Sequence, residues 1–391
     1  MDDHREQDRR RAIERYQKGE SPTAISISLG YSTRWFYKWL KRYRAVGESD
    51  WFRDGSRQPH HSPGRTRWEI EEIVKMVRLR LYNEGRFCGA QAIRWEMEDL
   101  TVWPLPSLRT INRILARAEL TNRRTGRYEP KGKAYPKLKA DRPGQAHQTD
   151  FVGPLYLQGG LRFYSLNSVD LATGRCVMEP VLTRSAQATV DAFWASWIRL
   201  GLPQNQQVDN EMSFYGSPRH PRGMGPLIRL GLLHGIEVWF IPVREPWRNG
   251  VVEKFNDIWK DRFLRRVDLG SETELRKENL AFEERHNARY RYSKLGGKTP
   301  AQALGATKAK LSFPTKHKPP QCPLPKPETG RYHLMRFVRS AGRLNIFGET
   351  FPAPPEAIYE YVRLTIDVER QCLGVFLDDK QIDEHNYTMR K

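Results

Sequence analysis

Apolar positions along the chain change period twice. Between residues 8 and 46 they recur every three or four positions in short runs, predicting helices near 10–18, 22–29 and 33–46. Gly30 supplies the turn, and Ser32 or Thr33 is a cap for the third helix. On that helix Trp35, Phe36, Trp39, Leu40 and Tyr43 share one face, leaving Arg34, Lys38, Lys41 and Arg42 outward. A second set follows: Ile70, Ile73, Val74, Val77 and Leu81, a shorter helix over 91–100, and a helix capped by Ser107. The last buries Leu108, Ile111 and Leu115 and presents Arg109, Asn112 and Arg113. Both sets have the helix-turn-helix layout, so 1–50 and 67–120 are read as all-α DNA-binding modules. Packing of a basic helix on its own domain is the competing reading. Residues 51–66 are turn formers without apolar period and read as a linker, which would let two small modules span a long DNA site.

Residues 121–145 form a second linker. Its first part, TNRRTGRYEPKGKAYPKLKADR, holds eight Lys or Arg against two acids, with Arg123 and Arg124 near its start. It is read as lying along a phosphate backbone or as a solvated tether. From Ala146 the period shortens to that of strands. HQTDFVGPLYL and LRFYSLNSVDLATGRCVMEPVL, turning at Gly159-Gly160 and 172–174, predict a three-stranded antiparallel meander. A helix with Val190, Phe193, Trp194, Trp197 and Ile198 on one face comes next. Then come a short strand QQVD, a helix near 227–233, a strand EVWFI and an amphipathic helix over 246–263. This order predicts an α/β core with a mixed five-stranded sheet over 146–305. A long polar helix over 272–292 leads to a Pro- and Lys-rich linker, 306–330, and 331–391 reads as a small β-barrel with hairpin turns at Gly342 and Asp378-Asp379.

Charge changes what these modules are for. The 391 residues carry 66 Lys and Arg against 46 Asp and Glu, a net charge of +20. Such an excess suits a polyanion, because each neutralised phosphate releases counterions, so nucleic acid is the first partner to consider. Cys88, Cys176, Cys322 and Cys372 are isolated, which excludes a C-x-x-C metal or redox pair, and His60-His61 have no second Cys with which to build a zinc site. The charged start MDDHREQDRRR and the lack of any run of about 20 apolar residues predict a soluble cytoplasmic protein with no membrane partner.

Asp150 lies on the first strand, Asp209 ends the fourth and Glu253 lies on the helix after the fifth. Neighbouring strand ends and a crossing helix can converge such carboxylates, which are the ligands that Mg2+ prefers. Two such ions would serve an in-line displacement at phosphorus. Taken singly, each acid is as readily a turn or cap residue. The words around them, HQTDF, VDNE and PWRNGVVEK, in that order and with 58 and 43 residues between their acids, together resemble the integrase-core DDE transposases of bacterial insertion sequences and, more distantly, retroviral integrases.

That resemblance implies a ribonuclease-H-like core in which Asp150, Asp209 and Glu253 are the catalytic acids and hold two Mg2+ ions, with Mn2+ as a substitute. It further implies binding of double-stranded DNA at transposon inverted-repeat ends, 3'-end cleavage and strand transfer into target DNA. The expected assembly is a homo-oligomer, a dimer or larger, in a nucleoid-associated bacterial setting. Asn210 follows Asp209 as in the family, but Glu211 stands where Gly is common, and the 43-residue gap implies an insertion within 215–226. Asn249, before Gly250, is expected to cap the helix or meet phosphate, and Lys260, on nearly the face of Glu253, to meet DNA. Trp247 and Arg248 stack on DNA or bury against the sheet. Asp257 reads as a surface acid, and Asp170, Asp191 and Glu211 rank as lesser ligands. GGKTP (296–300) ends like a phosphate loop, yet Tyr292 replaces its first Gly, so any ATPase that transposition needs is a separate protein. A transposase-derived DNA-binding regulator without catalysis is the alternative. A stand-alone nuclease would need neither reading modules nor barrel.

Overall fold

A computed structural model describes residues 2–47, 50–55, 66–121, 133, 135, 137–217 and 219–390. Two compact units result, Met1–Arg65 and Thr66–Lys391. Arg123, Arg124, His60 and His61 lie outside the described residues.

The first unit holds α1 (Asp2–Gln17), α2 (Pro22–Leu29) and α3 (Thr33–Val46). Ser21 and Ser32 cap α2 and α3 by accepting from Ala24 and Trp35 N–H groups, each at 3.2 Å. Gly30 closes α2 in the left-handed conformation at φ 71°, where a side chain would be strained. Ile13, Ile25, Phe36, Trp39 and Leu40 are buried together with Trp51 and Phe52.

The second unit opens with α4 (Trp68–Asn83), α5 (Ala90–Asp99) and α6 (Leu108–Arg117) around Val74, Ile93, Met97 and Ile111. Instead of hanging on a tether, these helices are docked on the core. Phe87 packs edge-on against Tyr290 and Tyr292, with centroids at 5.0 and 5.3 Å, and the Tyr290 hydroxyl donates to the Gly85 carbonyl at 2.6 Å. A Cβ at Gly297 would come within 2.9 Å of the Trp95 ring. Gly297 of GGKTP therefore serves this contact, and Gly296 closes the turn before it at φ 64°.

The core runs β1 (Ala146–Tyr156), β2 (Arg162–Asp170), β3 (Cys176–Val181), α7 (Ala186–Leu200), β4 (Asn205–Val208), α8 (Met212–Tyr215), α9 (Pro226–Leu233), β5 (Glu237–Phe240), α10 (Gly250–Arg262), α11 (Glu272–Arg289) and α12 (Pro300–Gly305). The first three strands are the antiparallel meander, and β4 and β5 continue it in parallel from β1. Apolar side chains alternate between the two faces. Phe151, Leu166 and Phe240 pack under α7 and α9, while Val152, Phe163 and Val169 pack under α10 and α11.

The expected boundary after residue 305 is not a structural break, and the five-stranded sheet needs correction. β6 (Arg331–Phe337) pairs in parallel with β5, matching Val238 to Tyr332 and Phe240 to Leu334. β7 (Arg343–Ile346) and β8 (Glu349–Pro352) form a separate hairpin, whereas β9 (Tyr361–Asp367), β10 (Cys372–Leu377) and β11 (Lys380–Asn386) extend the main sheet to nine strands. Their order is β11-β10-β9-β6-β5-β4-β1-β2-β3. Among the described residues no strand pairing closes the C-terminal strands into the expected barrel. The physical reason is the open edge of β5, whose unpaired N–H and C=O groups β6 satisfies. Tyr332, Leu334, Leu364 and Val375 then share one apolar core with β1 to β5. The proline-rich segment before β6 packs too: the Lys316, Pro320 and Leu324 carbonyls accept from Trp194, Gln187 and Arg229.

The insertion anticipated within 215–226 folds back onto these C-terminal strands. Arg222 pairs with Glu349 at 2.9 Å, and its carbonyl accepts from the Arg390 N–H at 3.1 Å. At its base a Cβ on Gly225 would lie 2.2 Å from the Tyr215 carbonyl carbon, so the close return requires glycine.

Candidate active site

Strand register brings the two aspartates side by side. The β1–β4 pairing matches Ala146 to Asn205, His147 to Gln206 and Gln148 to Gln207, and continuing that register carries Asp150 alongside Asp209. The paired glutamines also fix the third element. Gln148 Oε1 accepts from the Val251 and Val252 N–H groups at 3.0 and 3.2 Å, capping α10 from the strand beneath it. Gln207 Nε2 donates to the Arg248 carbonyl at 3.2 Å. Asn249 Nδ2 donates to the Thr149 carbonyl at 3.1 Å. The start of α10 is thus bolted to β1 and β4 two residues before each aspartate, and Glu253 follows in its first turn.

Asn256, one turn beyond Glu253, donates through Nδ2 to Asp150 Oδ2 at 2.9 Å. Its Oδ1 accepts from Asn167 Nδ2 at 2.8 Å, and Asn167 Oδ1 accepts from the Ser165 hydroxyl at 2.7 Å. This buried chain orients one oxygen of Asp150 and leaves the other to the site. The sequence reading missed Gln148, Gln207 and Asn256. A usable signal existed for the first two, since QTD and QVD repeat one Gln-x-Asp word on adjacent strands.

Burial lifts the Asp150 carboxyl to about 7, and the charges of Asp209, Glu253 and Glu211 add to it, against the opposing Asn256 hydrogen bond. Asp209 is raised to about 6 by burial and by Glu211, opposed by the Glu211 N–H and by Arg184. Glu253 is raised by burial and by Asp257. These carboxyls are an all-oxygen donor set whose mutual repulsion a hard divalent cation would relieve, so the residues fit such an ion in kind. As the side chains stand, no three His, Cys, Asp or Glu among the described residues lie close enough together to hold one.

The rival acids have other work. Asp170 accepts from the Gly144 N–H at 2.8 Å and from the Thr173 N–H and hydroxyl at 2.7 and 2.6 Å, and it lies 3.5 Å from His147. Burial would raise it, but His147, Thr173 and Gly144 bring it down to about 2. Asp191 accepts from Gln187 on its own helix. Glu211 is engaged by Arg184 at 2.5 Å, with Arg184 lying 4.7 Å over the Tyr164 ring.

Of the expected DNA contacts, Arg34, Lys38 and Lys41 are exposed on α3, and Arg42 is half-buried beside Trp39. Arg109, Asn112 and Arg113 are exposed on α6. Asn112 opens on a cleft of about 1010 Å³ shared with Arg78, Arg262, Arg291 and Lys294. Lys260 is half-buried on α10. Asn249 must be corrected: it is 2% exposed and bonded to β1, so it positions α10 and meets no phosphate, nor does its side chain cap the helix. Arg248 is likewise structural, stacked 4.1 Å over Tyr135 and paired with Glu245 at 2.9 Å. Trp247 stays 41% exposed.

Residues 3–51 match the family model of a homeodomain-like domain, and 234–300 match that of an integrase core domain. The chain thus carries a homeodomain-like segment at its start and an integrase-core segment over 234–300. The core match contains Glu253, while Asp150 and Asp209 precede it. Among solved structures, the integrase catalytic core of HTLV-2 in complex with magnesium, in trimeric and dimeric forms, is similar at 19% identity. It covers 41% of this chain and 97% of that one, with a TM-score of 0.33. A simian T-cell lymphotropic virus intasome in complex with PP2A regulatory subunit B56 gamma is similar at 13% identity over 75% of this chain and 88% of that one, with a TM-score of 0.38. Among the described residues, no helix is long and apolar enough to cross a membrane.

Proposed function

We propose that the protein is a DNA transposase that binds inverted-repeat ends through α3 and α6 and performs 3'-end cleavage and strand transfer at Asp150, Asp209 and Glu253. The reading rests on the shared register of Asp150 and Asp209 at the adjoining ends of β1 and β4. These three acids would hold Mg2+, or Mn2+ in its place. When bound, such ions supply charge neutralisation at the phosphodiester and a lowered pKa for the attacking oxygen. The protein's own part is placement. Gln148 and Gln207 hold α10 against the strands, Asn256 orients Asp150, and the basic faces of α3 and α6 set the DNA register. Arg123, Arg124 and Lys260 extend that grip along the phosphates. Paired ends call for at least two copies of the chain, and nothing in the proposal requires an ATPase.

A second reading, a DNA-binding regulator without catalysis, draws on the acids not being gathered to metal-holding spacing. One assay separates the two. End-bearing duplexes are incubated with protein and Mg2+ or Mn2+, and joined products are counted beside end binding. The transposase joins, and Asp150→Asn, Asp209→Asn and Glu253→Gln each lose joining by about 10³-fold or more while still binding ends. Robust joining by any of the three overturns the site assignment. Binding without joining by the wild type establishes the regulator.

A further inference from the structure

The outer face of α4 is apolar where a solvent face should be polar. Trp68 is 69% exposed, Met76 60%, Leu79 49% and Tyr82 48%. At 100° per residue these four fall within about a third of the helix circumference, opposite the Ile70, Val74, Val77 and Leu81 face that packs on α5 and α6. A stripe running about 21 Å from Trp68 to Tyr82 does not resemble scattered surface apolar residues. Nor does it suit DNA, since the ion pair set within it, Lys75 with Glu72 at 2.5 Å, gives it no net charge.

Its charge order indicates what it meets. Glu69 and Glu72 occupy the first half of α4, and Lys75 and Arg78 the second, while Glu71 and Arg80 are paired within the chain to Arg117 and to Glu84 and Glu96. A second α4 laid antiparallel across a two-fold axis sets acidic half against basic half and opposes the helix dipoles. With the axis between Ile73 and Val74, Trp68 of one copy meets Leu79 of the other, and Glu72 of one meets Lys75 of the other, each contact occurring twice. We propose that this face of α4 is the pairing surface between two copies of this chain. A single helix pair is small for a permanent dimer, so pairing is weak in free protein and is reinforced when two ends bring copies together. The proposal does not depend on catalysis.

The test uses full-length protein without DNA, followed by sedimentation equilibrium over a wide concentration range. Wild type shows reversible dimerisation, and Leu79→Ala weakens it at least tenfold. Glu72→Lys alone puts two lysines face to face at each crossing pair, and Lys75→Glu alone puts two glutamates there, so each variant is more monomeric than wild type. An equimolar mixture of the two variants restores dimers, because every crossing pair is again opposite in sign. Thermal melts of each variant matching wild type rule out misfolding as the cause. A chain that stays monomeric at every concentration, whether α4 is covered from within the chain or left bare, overturns the proposal. Dimers in both single variants, or a mixture no better than its components, overturn it equally. Loss of strand joining without change in these dimers bears on the proposed function and not on this surface.

Discussion

Replacing Asn256 by Leu probes how the site is held, because Leu keeps the volume and removes both hydrogen bonds of the amide. Asn167 Nδ2, now 2.8 Å from an accepting oxygen, is left buried without a partner, at a cost of about 1–3 kcal/mol. Asp150 loses its 2.9 Å donor, but it is only half-buried and recovers part of that bond from water or by protonation, so the lower end of the range for a charged bond, about 1.5 kcal/mol, applies. The expected loss is therefore about 3 kcal/mol. For a unit of roughly 330 residues the unfolding entropy is about 0.7 kcal/mol per kelvin, so calorimetry should place the melting of the second unit about 4 °C lower. Losing the Asn256 bond also removes the interaction that lowers Asp150, so its carboxyl rises further and the pH profile of strand joining moves to higher pH. A change in melting alone would mean that the Asn256 hydrogen bonds hold the fold without orienting Asp150. Unchanged melting together with an unchanged pH profile refutes the orienting chain altogether.

Arg34→Ala with Lys38→Ala, both exposed on α3, should weaken end binding and flatten the plot of log affinity against log salt by about 1.8; an unchanged slope in a filter-binding titration removes α3 from the DNA. Asp150 and Asp209 have folded values of about 7 and 6 against an ordinary 3.8, so their stabilising contribution is complete below about pH 3.8 and is lost as pH rises through 6 to 7. Metal-free protein should thus lose melting temperature between pH 5 and 8 relative to Asp150→Asn, and Mg2+ should raise it more at pH 8 than at pH 5; equal shifts at both pH values contradict repulsion between these acids.

Much of the fold is legible in the residues because it is local. Period-3.6 runs such as Phe36, Trp39 and Leu40 or Ile70, Val74, Val77 and Leu81 commit their segments to helices with one buried face. Ser32 and Ser107 cap where a hydroxyl before such a run must cap. The meander from Ala146 to Val181 is local in the same sense, since tight turns leave each strand only its neighbour to pair with. The word order around Asp150, Asp209 and Glu253 pointed to an integrase core, and the family-model match over 234–300 agrees for that segment.

What the chain alone could not decide was which edges and faces meet. Period and composition identify 331–391 as strands, but whether they close on themselves or extend β5 depends on an open edge contributed by residues some 90 positions earlier. Asn249 reads as a phosphate contact from its place before a helix, yet near-complete burial against β1 makes it a positioning residue. The same holds for Gln148 and Gln207, ordinary polar residues until strand pairing sets them side by side under α10. Local sequence determines backbone period and capping, because those depend on neighbours within a few residues. Partners across a sheet are set by the burial and hydrogen bonding of groups far apart in the chain, and those become neighbours only once the tertiary structure has formed.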